Sequence, residues 1–151
     1  MDRGMYAAEL FHKGYNCAQA VFISFGDVTG LDEKTAAKMA SSFGGGMGRL
    51  REVCGAVSGM LMAVSMLYGY DNPGEHEEKK ELYTLVQQLA GKFQAEAGSI
   101  ICRDILKNPD TTPIPELRTE EYYKHRPCIS MVVLATQILD QYIKENPPCK
   151  N

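Results

Sequence analysis

The sequence has no excess of basic residues. Its 16 Lys and Arg against 19 Asp and Glu leave a formal charge of −3 and a pI near 5.6. A nucleic-acid surface needs a basic patch or stripe, so nucleic acid is not an expected partner. No apolar run is long enough to cross a bilayer. The most apolar stretch, 56–68, is the length of a buried helix. The first residues, Met1 to Tyr6, lack the basic region, apolar core and cleavage site of a signal peptide. A cytoplasmic location, with thiols normally kept reduced, is therefore expected. No segment alternates apolar and polar residues as a half-buried strand does, and there is no repeat or linker. No two cysteines are spaced Cys-x-x-Cys, which excludes a thioredoxin-type redox motif and a zinc ribbon.

What remains reads as all helix. Helices are expected over about 2–13, from Asn16 to about Phe25, from Lys34 to Ser42 with Asp32 as cap, 53–68, 75–97, 100–107 and 127–144. Asp71-Asn72-Pro73-Gly74 is a turn. Three prolines make 108–115 a loop, and Pro127 suits the first turn of the last helix. The simplest packing is a compact, all-α, single-domain helical bundle of about six or seven helices. It would span 1–151, with its core over about 5–145 and a tail over 146–151.

Five cysteines are unusual for a chain with no expected need of disulfide staples. Cys17, Cys54, Cys102 and Cys128 each fall where a helix begins, and Cys149 lies in the tail. A helix N-terminus offers free N–H groups and partial positive charge, which stabilise a thiolate. Converging helix starts would bring the four together as exchanging dithiols or as a four-thiolate metal site. Isolated, buried thiols in a helical scaffold are the plainer alternative.

The segment before Cys54 carries four glycines in five positions, Gly44-Gly45-Gly46-Met47-Gly48. They permit left-handed backbone and close approach of a ligand or another chain. No Lys-Ser/Thr follows them and no βαβ unit surrounds them, so a nucleotide-binding loop is not indicated. Arg49 and Arg51 could lower the pKa of Cys54 or hold an anionic group. Gly45, Gly46, Arg49 and Gly55 are thus candidate cofactor-binding positions. Gly55 and Gly59, one turn apart, offer a flat strip for close helix packing, within the chain or across a homodimer. His125, three residues before Cys128, is a candidate proton carrier or extra ligand.

Taken in order, Gly14-Tyr15-Asn16-Cys17-Ala18-Gln19, the glycine segment, Cys54-Gly55-Ala56-Val57-Ser58-Gly59, Cys102 and Cys128 resemble the C-GCAxxG-C-C family of putative redox-active proteins. The resemblance implies that these four cysteines are the family's cysteines, and that Cys149 lies outside the pattern. A similar domain occurs in a split-Soret type of cytochrome with an iron–sulfur centre. Covalent c-type haem is excluded here because no Cys-x-x-Cys-His is present.

Two functional readings follow. In one, the chain is a thiol/disulfide oxidoreductase or electron-transfer protein. Cys17 or Cys54 attacks, another cysteine resolves, and a redox partner protein or small-molecule oxidant completes the cycle. In the other, Cys17, Cys54, Cys102 and Cys128 ligate zinc or an iron–sulfur cluster.

Overall fold

Asp2 opens the first helix. Its side chain accepts from the N–H of Met5 at 3.1 Å, starting α1 at Arg3–His12. A reciprocal capping box starts α2, Cys17–Ser24: the Gln19 N–H donates to Asn16 Oδ1, and the Asn16 N–H donates to Gln19 Oε1. Asp32 caps α3, Glu33–Ala40. Then follow α4 (Gly55–Tyr68), α5 (His76–Ala97), α6 (Cys102–Leu106), α7 (Glu120–His125) and α8 (Cys128–Glu145). Single helical turns occupy Gly26–Thr29, Ser41–Phe43 and Gly44–Met47. This computed structural model describes residues 2–149, so Met1 and the last two residues of the expected tail lie outside the described residues.

The all-α architecture is as expected, and among the described residues there is no strand, only an isolated bridge between Val53 and Ile101. The six longer helices match those expected from sequence to within about two residues, whereas α7 is additional. Thr119 starts α7 by accepting from the Tyr122 N–H, and the prolines upstream do not reach it.

α2 lies at the centre, packed on α1, α3, α4 and α8. It is apolar nearly all round, with Ala18, Ala20, Val21, Phe22 and Ile23 all buried. Phe11, Phe22, Phe25 and Phe93 are fully buried, each stabilising the fold by roughly 1.5–3 kcal/mol relative to exposure. The contact between α2 and α4 is closer than side chains allow. A Cβ on Gly59 would lie 2.5 Å from the Ala18 carbonyl oxygen, and one on Gly55 would lie 3.2 Å from the Cys17 Cβ. The flat strip of Gly55 and Gly59 therefore serves packing within one chain.

Gly59→Ala should destabilise the protein by about 1–3 kcal/mol, because backbone on both sides must shift. Gly91→Ala, on an open face of α5, should instead stabilise by about 0.5–1 kcal/mol. Urea unfolding measures both. Equal midpoints for the two variants would contradict the close α2–α4 contact.

Candidate functional site

The starts of α2, α4, α6 and α8 meet at one end of the bundle. Cys17 and Cys128 are the first residues of α2 and α8, Cys102 is the first of α6, and Cys54 is the N-cap of α4. All four line one cavity of about 280 Å³.

Short backbone pairing brings two of the cysteines side by side. Around the Val53–Ile101 bridge, the Cys54 N–H donates to the Ile100 carbonyl at 2.7 Å and the Cys102 N–H donates to the Glu52 carbonyl at 2.6 Å. Gly46 makes room for this. Its φ is +73°, and an added Cβ would lie 2.7 Å from the Cys102 Cβ and 2.7 Å from the Glu52 nitrogen. The left-handed path continues through residues with side chains, with φ of +70° at Arg49 and +61° at Arg51. Such backbone is costly for a non-glycine residue and is found mainly where surrounding structure enforces it. Here the N–H groups of Arg49, Arg51 and Glu52 donate back to the carbonyls of Gly44, Gly45 and Gly46.

The cysteines divide by environment. Cys54 and Cys102 are buried, at 6% and 9% exposure, while Cys17 and Cys128 are only partly buried. All four are free thiols. Burial pushes Cys54 up to about 12, against the opposing pull of the Ala56 and Val57 N–H groups. Burial also raises Cys102, although Arg51 Nη1 sits 3.8 Å from its sulfur and pulls the other way. Cys17 and Cys128 share a hydrogen bond. That bond lowers Cys128, to about 7, against the cost of desolvation and with help from Arg126, Arg118 and Arg51. The same bond raises Cys17, as does burial. The two thiols titrate as a coupled pair, in which the first proton leaves more easily than the second.

Of the four thiols only Cys128 is shifted down, while Cys17, Cys54 and Cys102 are shifted up. The geometry corrects two expectations. Arg51 stands beside Cys102 rather than activating Cys54, and Arg49 is held elsewhere: its Nε donates to the Thr112 carbonyl at 2.6 Å and its Nη2 pairs with Asp110 at 3.4 Å. His125 is exposed and paired with Glu121, so it is not positioned to carry a proton for Cys128.

The candidate cofactor-binding positions Gly45, Gly46, Arg49 and Gly55 all line the same cavity. A four-thiolate metal site does not fit the residues present. Among the described residues, no three His, Cys, Asp or Glu side chains are grouped to hold a metal ion. A guanidinium beside Cys102 would also repel a cation. Cys149 is exposed and stands apart from the cavity.

A family model described as putative redox-active protein (C_GCAxxG_C_C) matches residues 15–142. The chain belongs to this family. The matched span contains all four cavity cysteines and leaves Cys149 outside. No curated protein and no solved structure matches the chain.

Further side chains complete the cavity. Arg118 donates to the carbonyls of Phe11 and Tyr15 and lies 4.2 Å above the Phe11 ring. Tyr122, pushed up to about 12 by burial, lies beside both Arg118 and Arg126, with guanidinium-to-ring distances of 5.1 and 4.9 Å. Arg126, two residues before Cys128, carried the one local signal: a cation near a cysteine at a helix start.

Alkylation by iodoacetamide, followed cysteine by cysteine through peptide mapping, should show Cys128 reacting first. Its rate should rise with pH as the thiol deprotonates and level off above a midpoint near 7. Cys17→Ala removes the donor, so the midpoint should move up towards the ordinary value of about 8.5. An unmoved midpoint would show that the Cys17 hydrogen bond does not set the acidity of Cys128.

Proposed function

We propose that this family member is a thiol/disulfide oxidoreductase in which Cys128 attacks and Cys17 resolves. The observation that carries the reading is the hydrogen-bonded Cys17–Cys128 pair, the less buried pair, at a cavity lined by guanidinium groups. Membership of a family described as redox-active supports the same class of chemistry.

The Cys128 thiolate attacks one sulfur of a disulfide substrate. A Cys128–substrate mixed disulfide forms, and the other substrate sulfur leaves as a thiolate. The proton of the Cys17 thiol then moves to that leaving thiolate or to water. The Cys17 thiolate attacks the Cys128 sulfur, forms the Cys17–Cys128 disulfide and releases the second substrate thiol. The substrate gains two electrons and the protein loses two. A dithiol of a redox partner protein or a small-molecule thiol, by the reverse exchanges, would restore the pair. A midpoint near 7 suits the attacking role, since a thiol acidic at ambient pH is ionised without losing much nucleophilicity. Cys54 and Cys102 remain protonated beside this pair, kept so by burial. We assign the reaction to a reducing compartment, the cytoplasm, where the dithiol form is the resting state.

Cys17→Ser lets the first exchange proceed and blocks the second. On exposure to a small disulfide, this variant should accumulate a mixed disulfide at Cys128, whereas the wild type should form the Cys17–Cys128 disulfide. Mass spectrometry of non-reduced peptides reads both. A mixed disulfide at Cys17, Cys54 or Cys102 in single-serine variants, with none at Cys128, would sink the assignment.

A further inference from the structure

Four arginines, Arg49, Arg51, Arg118 and Arg126, line the cavity, against one carboxylate, Glu116. Most of their donors are already used. Arg49 is held by Thr112 and Asp110 and lies 4.0 Å from Glu116, which also pairs with Arg126. Arg118 is held by backbone carbonyls. Arg51 is different. Its Nε donates to the Asp110 carbonyl at 2.9 Å and its Nη1 faces the Cys102 sulfur, but its Nη2 has no partner. The residue is only 3% exposed.

A buried guanidinium nitrogen without an acceptor is costly, and structures rarely keep one without a use. It cannot lose its charge, so an acceptor must come from outside the protein. The backbone at Arg51 is left-handed, and three N–H···O=C bonds hold that turn in place. The Nε bond to the Asp110 carbonyl holds the guanidinium on that fixed turn.

We infer that the cavity is an oxyanion site, in which Arg51 Nη2 receives the carboxylate or comparable anionic group of a small substrate while the substrate's sulfur faces the Cys17–Cys128 pair. This deepens, and rests on, the thiol-exchange reading. The substrate class is a low-molecular-weight disulfide bearing an oxyanion. The cavity, at about 280 Å³, is at the small end for ligand sites, which disfavours bulky substrates. Phe11, Ile105 and Met131 supply the apolar wall against which the substrate's carbon chain would lie.

Iodoacetate and iodoacetamide differ by little more than a negative charge. Both transfer their carbon to a thiolate with loss of iodide. At Cys128 the iodoacetate-to-iodoacetamide rate ratio should exceed that of free cysteine by about tenfold, the worth of one charge-assisted hydrogen bond. Sulfate should compete away the excess in a saturable way when ionic strength is held constant with chloride. Arg51→Lys, which keeps the charge but loses the fork, should remove most of the excess, and Lys92→Gln on exposed α5 should not.

A ratio equal to that of free cysteine in the wild type would overturn the inference without any variant having to fold. An excess removed equally by chloride and sulfate would also overturn it, by showing a general cationic field instead of a site. If iodoacetate shows no advantage yet calorimetry finds sulfate bound, the cavity takes free inorganic oxyanion only, and the substrate assignment is overturned. Should Cys128 react with neither reagent, the thiol-exchange reading falls. Sulfate binding by calorimetry, lost in Arg51→Lys, would then decide the anion site alone.

Discussion

The active end of this bundle depends on backbone meeting backbone between α2 and α4. Gly59 rests against the Ala18 carbonyl, and Gly55 rests against Cys17 and the Phe43 carbonyl. Any side chain at either glycine would separate the two helices and draw the start of α2 away from the start of α4. The same logic recurs at Gly46, where the absence of a Cβ lets the Cys102 segment close against the turn before Cys54. Three close approaches thus bring Cys17, Cys54 and Cys102, far apart in sequence, to one cavity, and the start of α8 adds Cys128. The glycines stabilise the helices less than alanine would, and what they secure instead is distance.

Convergence alone does not make the cysteines equivalent. Helix-start placement favours the thiolate at all four, but burial opposes it, and the balance differs from site to site. At Cys54 burial wins by a wide margin. At Cys102 it wins against a nearby guanidinium. Only Cys128 combines a thiol donor with three arginines and keeps some contact with solvent. The electrostatics therefore shift one thiol down and its neighbour Cys17 up, the asymmetry on which the proposed exchange rests. Two-step exchange requires this asymmetry: one sulfur ionised to attack, its neighbour protonated until its turn comes.

Much of the fold was legible because its signals are local. Asn16 with Gln19, Asp32, and Pro127 before Cys128 mark helix starts through nearby donors and acceptors, and the observed helices begin there. The set of four cysteines was legible through their shared position and the family pattern. Which thiol is shifted down was not. It depends on Arg118 and Arg51, brought to Cys128 only by folding, and on burial, which no residue carries in itself. Arg49 and Arg51 carry their charge near Cys54 in sequence. Their left-handed backbone turns them elsewhere, and nothing in the residue types foretold positive φ at two arginines. The three prolines of 108–115 break helix only locally, and Thr119 beyond them caps α7, which helps to place Tyr122 and Arg126.

The central claim is that Cys128 is ionised near neutral pH with Cys17 protonated beside it. The most direct measurement is carbon NMR of protein labelled at cysteine Cβ, each signal assigned by single serine variants and followed from pH 5 to about 10 under reducing conditions. The account predicts that the Cys128 signal moves with a midpoint near 7, while Cys17 and Cys54 hold their thiol shifts well beyond it. A Cys17 or Cys54 signal that titrates first, or a Cys128 signal that titrates like free cysteine, would contradict it.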